Sequence, residues 1–317
     1  MRDLFKCITF SALLLAQALL LQQVLLIGLR KYQTRQAGTW NQVTHGLVNA
    51  EILILGSSRA HVHADPRIFT AITHKSAYNI GREGTAIDLQ LAFFEMYLRH
   101  NRAPKYLVLC LDSYTFAPDW FRILQPELYI AHLNEPEIAT ALSHREQIWN
   151  LYRLFPLIGI VRFAGTRELA FCGLCGHAEL EDQYNGFLPV TADWGPEFEE
   201  FKKYHPNGIS YDISQSSKEH LHQLLDLCRR QHIQTVLVFP PEYIESQAMT
   251  SNRQDVITVY QEFSNEFKIP FWNYSTDPIC EKKDYFYNSQ HLNLKGATLF
   301  SHDCATHLES LIASPRQ

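Results

Sequence analysis

Short apolar segments alternate with amphipathic segments along most of the chain, and this alternation restricts the fold more than any other feature. Four apolar runs are short enough to be buried strands, and four longer segments carry apolar residues at helical spacing. Polar caps are expected at Asn293 and at a capping box formed by Ser216 and Glu219. Strands that alternate with helices predict an α/β domain, with a mainly parallel sheet covered by helices on both faces. The predicted strands are 51–55, 106–111, 235–239 and 269–274, and the predicted helices are 85–100, 217–231, 255–268 and 294–312.

The N-terminal segment is apolar over a length that matches a membrane span. Residues 8–29 carry no charge, whereas Arg2 and Lys6 precede them and basic residues follow at 30, 31 and 35. Because a bilayer core requires about 20 such residues, we expect residues 1–30 to be a cytoplasmic tip and a transmembrane anchor. A cleaved signal peptide is the alternative, with a small-residue site at 16–18. Glutamines at 22 and 23 either face a partner helix or are tolerated within a leucine-rich span.

The rest of the chain is a large, mostly polar segment, which favours a single-pass topology with the N-terminus in the cytoplasm. The domain is then extracytoplasmic, in a periplasm or at the cell surface. We expect residues 31–48 to be a stalk and residues 49–317 to be the domain. Residues 113–215 interrupt the strand–helix alternation and are too long for a simple crossover. They are predicted to be a large, mostly helical insertion that covers the carboxyl edge of the sheet.

Composition argues against two classes of function. The net charge is −5 and the pI is about 6.3, so a nucleic-acid partner is not expected. Seven cysteines are an odd number, and Cys172 and Cys175 have the spacing of a metal-binding or redox pair. No second ligand pair accompanies them. We therefore expect neither a metal nor a cofactor, and a local disulfide or plain loop cysteines at this pair.

The segment Gly56-Ser57-Ser58 directly follows the first predicted strand, at the edge where ligands bind in parallel sheets. It lacks the lysine and glycines of a phosphate-binding loop and the three glycines of a dinucleotide fingerprint. A serine nucleophile needs a histidine base. His61 and His63 are near in sequence and are expected mostly at the surface, and His291 precedes the last helix on the same edge of the sheet.

Three blocks in this order resemble the SGNH (GDSL-like) hydrolase superfamily. Gly56-Ser57-Ser58 is similar to the Gly-Asp-Ser block, and "YNIGREG" (78–84) to the second block, which ends at Gly84. Asn288-Ser289-Gln290-His291 is similar to the Asp-x-x-His block. The resemblance covers about residues 50–112 and 232–312. Within the superfamily, the sequence is similar to teichoic acid D-alanyl-transfer proteins and to bacterial polysaccharide O-acetylation proteins. It implies a flavodoxin-like three-layer parallel sheet.

The resemblance also implies residue roles. Ser58 would attack an acyl carbonyl while His291 takes its proton, and the backbone N–H groups of Ser58 and Gly84 would bind the oxyanion. Two positions depart from the family pattern. Asn288 stands where an aspartate is expected, and an amide holds the imidazole tautomer without stabilising imidazolium by charge. Asp112 stands near the position of an asparagine donor, and an ionised carboxylate cannot donate a hydrogen bond.

Two charged residues are the alternatives that follow from these departures. Arg59 would supply the third oxyanion donor, and Asp284 would supply a carboxylate to a Ser58–His291 dyad. The expected function is a membrane-anchored serine acyl-ester hydrolase or acyltransferase acting on a cell-envelope glycan or lipid. The alternative is a weak or inactive binding or assembly module that partners a membrane acyltransferase.

Overall fold

The computed structural model describes residues 1–118, 123–176 and 183–314. The chain forms two compact units, each made of two chain segments. The helical unit comprises Met1–Gln42 and Gln125–Glu181, and the sheet unit comprises Val43–Leu124 and Asp182–Gln317. The stalk expected at 31–48 contains a helix, Arg35–Thr44.

The sheet unit contains a five-stranded parallel sheet with the strand order β2-β1-β3-β4-β5. This order is that of flavodoxin-like folds, in which the direction of winding reverses between β1 and β3. The predicted α/β class and parallel sheet are confirmed. The strands are β1 Ile52–Gly56, β2 Ala77–Asn79, β3 Tyr106–Cys110, β4 Gln234–Phe239 and β5 Phe271–Asn273, and β6 Phe286–Asn288 and β7 His291–Leu292 form a separate antiparallel pair.

The central strands are buried on both faces, which explains their continuous apolar sequences. Residues of β1 and β3 alternate between the two faces of the sheet. Ile54 and Val108 pack in one core cluster with Phe300 and Leu308 of the last helix. Their neighbours Leu53 and Leu107 are equally buried and point to the opposite face, where other helices lie. Three layers result.

The helices of the sheet unit flank the sheet on its two faces. The last helix packs on the two short helices that follow β1, and the helix after β2 packs on the helix before β4. The cap at Asn293 is confirmed because its Oδ1 accepts from two backbone N–H groups, whereas Ser214 rather than Ser216 caps the helix before β4. These helices are α3 Ser58–His63, α4 Pro66–Thr73, α5 Ile87–His100, α11 Glu197–Tyr204, α12 Gln215–Arg230, α13 Ile244–Ala248, α14 Arg253–Phe267 and α15 Leu294–Ala313, with 3-10 turns at Pro278–Glu281 and Lys283–Tyr285.

The helical unit is built around a long apolar helix, α1. It has a mean hydropathy of 2.1 over its most apolar window and is the one helix in the described part of the chain long and apolar enough to cross a membrane. Gln22 is buried, and its Oε1 accepts from the backbone N–H of Leu157 at 3.1 Å. The unit's helices are α1 Arg2–Lys31, α2 Arg35–Thr44, α6 Glu127–Ile130, α7 Pro136–Arg145, α8 Ile148–Leu154, α9 Pro156–Arg162 and α10 Ala164–Cys175.

The cysteines differ from the expectation of a local pair. All seven thiols are free, and Cys172 and Cys175 lie on α10 rather than in a loop. Among the described residues no group of His, Cys, Asp and Glu side chains is placed to hold a metal ion.

Candidate functional site

The carboxyl ends of β1 and β3 lie side by side, with Gly56 paired to Cys110. Gly56 has φ +152°, and a Cβ at this position would lie 2.5 Å from the carbonyl oxygen of Cys110. Only glycine therefore allows the chain to turn here. Ser57 is the N-cap of α3, and Ser58 is its first residue. The chain reverses sharply, so Ser58 stands at the edge of the sheet.

The structure brings Ser58 and His291 together. Ser58 Oγ lies 2.7 Å from His291 Nε2, although 233 positions separate them in the sequence. The β6–β7 pair positions the histidine, and the backbone N–H of the next residue, Leu292, donates to His63 Nε2 at 3.0 Å. Tyr287 stacks on the imidazole with a centroid separation of 5.5 Å. The hydroxyl and the ring nitrogen are therefore held within hydrogen-bonding distance.

The amide of Asn288 determines which nitrogen of His291 carries the proton. Asn288 Oδ1 accepts from the backbone N–H groups of Gln290 and His291, each at 3.0 Å. These two donors fix the oxygen, rather than the nitrogen, as the atom that lies 2.9 Å from His291 Nδ1. Nδ1 must then donate, because Oδ1 has no proton. The lone pair of Nε2 is left to accept from the Ser58 hydroxyl.

Burial keeps the imidazole neutral. Loss of hydration, the positive charge of Arg59 and the nearby His61 together lower the pKa of His291 to about 3. The neutral form is the one that accepts a proton. Asn288 supplies no charge to offset this effect, so the imidazole is neutral over a wide pH range but only weakly basic.

Asp112 lies beneath the serine turn, in a buried polar cluster. It is 1% exposed, and its Oδ2 accepts from Ser57 Oγ at 2.5 Å. Its Oδ1 lies 3.5 Å from Arg59 Nη1. Burial raises the pKa of Asp112 to about 6, although Arg59 opposes this rise. The carboxylate thus braces Ser57 and, through it, the first turn of α3.

The two alternative charged residues lie in different surroundings. Arg59 is buried, donates to the carbonyl oxygens of Pro240 and Pro241, and lies over the ring of Phe239. These contacts favour a structural role over that of an oxyanion donor. Asp284 is exposed, and its backbone carbonyl accepts from Asn293 Nδ2; the Nδ1 position of His291 is occupied by Asn288.

Gly84, the expected oxyanion glycine, adopts φ +64°. This left-handed conformation favours glycine, and a Cβ there would lie 2.4 Å from the Leu124 side chain. Asn79, the second residue of the same block, is buried and ties the block to α3, because its Nδ2 donates to the carbonyl oxygens of Ala60 and Ala64. The oxyanion role of Gly84 stays a prediction.

Sequence reasoning missed two side chains at the site, Tyr114 and Tyr287, and misplaced a third, His63. Burial raises the pKa of the Tyr114 hydroxyl, and interactions with the Ser57 and Ser58 side chains oppose this rise. Tyr287 stacks on His291, as described above. His63 is fully buried, its ring 6.1 Å from that of His291. Tyr114 follows Asp112 by two positions, and its proximity to this residue, which the family resemblance singles out, was the available signal.

The prediction that His61 and His63 lie mostly at the surface is wrong. They are 1% and 0% exposed. The residues after Ser57 form α3, which packs under α15, and Ser301 Oγ donates to the carbonyl oxygen of His63. His61 Nε2 lies 3.1 Å from the Gln183 amide. Desolvation lowers the pKa of His61 to about 4, so it is a neutral core residue near neutral pH.

Comparisons with known proteins return structures but no sequence relatives. No family model matches the chain, and no curated protein matches it. The psychrotrophic esterase EstA from Pseudoalteromonas sp. is 12% identical, with 83% of this chain and 98% of that chain covered and a TM-score of 0.44. A GDSL-like lipase from Bacteroides thetaiotaomicron is 9% identical, with 83% and 88% covered and a TM-score of 0.39. With TM-scores below 0.5, neither transfers a residue role or a substrate to this chain.

Proposed function

We propose that the protein is a serine acyl-ester hydrolase or acyltransferase in which Ser58, His291 and Asn288 form the catalytic triad. The observation that carries this proposal is the continuous set of hydrogen bonds from Ser58 Oγ through the imidazole to Asn288 Oδ1. It has the geometry required of a nucleophile, its base and the group that orients the base.

The proposed reaction begins with attack of Ser58 Oγ on an acyl carbonyl carbon while its proton passes to His291 Nε2. The resulting imidazolium gives this proton to the leaving oxygen, and an acyl-Ser58 ester remains. The backbone N–H of Ser58 is free of an intrahelical acceptor because Ser58 is the first residue of α3. It serves with the N–H of Gly84 as oxyanion donors. Water or an acceptor hydroxyl, deprotonated by the same imidazole, then attacks the ester carbonyl. The bond between Ser58 Oγ and the acyl carbon breaks, and the imidazolium returns the proton to Ser58 Oγ.

The proposed setting is the cell envelope. The apolar α1 helix supports anchoring of the chain in a membrane, and we place the sheet unit on the extracytoplasmic side. The substrate class is then an acylated envelope glycan or lipid, and a membrane acyltransferase is the partner that would supply or receive the acyl group.

Labelling by a fluorophosphonate probe tests the reaction. The full chain in detergent is treated with the probe, and hydrolysis of 4-nitrophenyl acetate is followed in parallel. We expect both activities to be lost in Ser58→Ala and in His291→Ala. Ser57→Ala is the matched control, because it removes a buried cap bonded to Asp112 and costs about 1 kcal/mol of stability while the nucleophile remains. A folded wild type that neither labels nor hydrolyses would support the assembly module, which Asn288 and Asp112 favour as the second candidate.

A further inference from the structure

The helical unit exposes an apolar surface outside its long helix. Three consecutive helices, α8 to α10, carry large apolar side chains that are more than one-third exposed, among them Leu154 at 71%, Phe171 at 67% and Val161 at 60%. Scattered exposed apolar residues are normal, but a concentration of them within one short segment marks a contact surface. We define this apolar surface by Ile148, Leu151, Leu154, Phe155, Ile158, Val161, Phe171 and Leu174.

These residues do not form part of an incomplete core. Each helix has an opposite face that is already buried, with Trp149 and Tyr152 on α8, Ile160 on α9 and Ala170 on α10. Within each helix the exposed residues recur at intervals of three, which places them along one side of the helix. The three helices are therefore packed amphipathic helices whose second apolar side has no partner among the described residues.

The surface is continuous with the candidate membrane helix. A Cβ at Gly28 of α1 would lie 2.1 Å from the carbonyl oxygen of Ala170, and one at Gly173 would lie 1.9 Å from that of Gly28. Such close crossing through small residues is characteristic of helices packed within membranes. Gln22 holds the start of α9 through the backbone N–H of Leu157.

The position of these contacts along α1 gives their depth. In residues 1–21 every side chain except that of Ala18 is exposed, so this part of α1 meets lipid if the helix spans a bilayer. Gln22 lies seven residues before Leu29, the last apolar residue of the uncharged stretch, which corresponds to about 10 Å along the helix. The helices held against this part of α1 thus lie at the boundary between headgroups and acyl chains.

Charge supports lipid over a soluble partner. Between Ile148 and Cys175 the exposed ionic residues are Arg153, Arg162, Arg167 and Glu168, an excess of two positive charges. Arginine on the polar side of helices with leucine and phenylalanine on the other is the composition of helices that lie in the interface of anionic membranes.

We propose that α8, α9 and α10 form a second membrane contact that lies in the bilayer interface beside α1, with the apolar surface against lipid. This inference rests on the membrane anchoring proposed above and does not depend on the catalytic assignment. The occupant is the anionic phospholipid bilayer itself.

Site-directed fluorescence in vesicles tests the proposal. The full chain, with Cys7, Cys172 and Cys175 replaced by serine so that only buried thiols remain, is reconstituted in phosphatidylcholine and phosphatidylglycerol vesicles. Single cysteines at Leu154 or Phe171 carry an environment-sensitive fluorophore. Leu14→Cys in α1 is the deep control, and Leu299→Cys, at an exposed leucine of α15, is the control for a helix with no proposed lipid contact.

We expect fluorophores at 154 and 171 to show blue-shifted emission and to be quenched by lipids carrying a shallow nitroxide, with little quenching by aqueous iodide. The fluorophore at 14 should respond most to a deep nitroxide, and that at 299 to iodide. Iodide quenching at 154 and 171 with lipid quenching retained at 14 would overturn the second contact and leave the anchor intact. Fluorophores at 154 and 171 that neither iodide nor nitroxide lipids quench would also overturn the second membrane contact, because a second protein copy would then cover the surface. Loss of lipid quenching at 14 would overturn the anchor too.

Discussion

Replacing Asn288 by aspartate tests how the amide controls the proposed base. In the wild type the amide oxygen orients His291 but carries no charge, and the pKa of His291 is lowered to about 3. A carboxylate introduced at this position by Asn288→Asp would keep the contacts to the two backbone N–H groups of Gln290 and His291. It would add a negative charge directly beside the ring.

The magnitude follows from the geometry. A carboxylate and an imidazolium with charge centres about 4 Å apart attract by about 4 kcal/mol at the effective dielectric of a partly exposed site. This attraction raises the pKa of His291 by about three, from about 3 to roughly 6. If half of this stabilisation, about 2 kcal/mol, is realised when the imidazolium forms in the transition state, kcat/KM rises about thirtyfold.

The assay is kcat/KM for 4-nitrophenyl acetate as a function of pH, from about pH 4 to about pH 9, with the full chain in detergent. The kcat/KM of the wild type should not change with pH above about pH 5, because His291 is already neutral there. For Asn288→Asp, kcat/KM should fall as the pH drops below about 6, and it should exceed the wild-type value above about pH 7. Asn273→Asp is the matched control. The Oδ1 of Asn273 also accepts from a backbone N–H two residues further along the chain, that of Ser275, but this side chain is not the one that contacts His291 Nδ1.

A flat profile for Asn288→Asp, or a lower kcat/KM at about pH 8 with an unchanged circular dichroism spectrum, would refute this reasoning. Charge beside Nδ1 would then not govern the reaction.

Three further predictions address the surroundings of the triad. Tyr114→Phe should lower kcat by about tenfold to a thousandfold with KM little changed, if the hydroxyl beside Ser58 donates to the developing oxyanion. A rise in KM with kcat unchanged would instead assign the hydroxyl to substrate binding. Burial raises the pKa of Asp112 to about 6, compared with 3.8 in the unfolded chain. The protonated carboxyl therefore stabilises the fold at low pH. About 3 kcal/mol of this contribution to the free energy of unfolding is lost as the pH rises from about 4 to 6. Urea unfolding should show that the wild-type stability relative to Asp112→Asn falls over this window, and a difference independent of pH would contradict the assignment. Gly81→Ala should cost about 1–3 kcal/mol in thermal unfolding, because its Cβ would lie 2.7 Å from the backbone nitrogen of His61; an unchanged Tm would show that α3 can shift.

The central strands could be predicted because burial on both faces leaves an uninterrupted apolar run. β2 could not, since it has three residues and ends in Asn79. That asparagine is buried because its amide bonds to Ala60, Ala64 and Gly81. A polar residue satisfied by tertiary hydrogen bonds looks like a loop residue in a sequence.

The meeting of Ser58 and His291 followed from topology, because loops after parallel strands share one edge of the sheet. Tyr114 did not follow, since one aromatic residue in an irregular segment has no periodic pattern. The burial of His61 and His63 also escaped prediction, because two histidines in a six-residue helix give no apolar face to read. The orientation of the Asn288 amide depends on backbone N–H groups that are invisible in a sequence.

The helical unit is made of two segments that lie far apart in the sequence, Met1–Gln42 and Gln125–Glu181, so its parts are synthesised at different times. Gln22 and Leu157 are 135 residues apart, and the ribosome adds about 5–20 residues per second, so roughly 7–27 s pass between the synthesis of the glutamine and that of its partner. During this interval β1 to β3 emerge, while α1 has neither α9 nor α10 beside it. The polar side chain and Gly28 are then open to any neighbouring membrane helix. If α1 lies in a membrane, a partner helix could reach Gln22 and Gly28 only while the chain is still being made, because α9 and α10 cover these two residues once synthesis is complete. Residues 1–21 of α1 stay exposed afterwards, apart from Ala18.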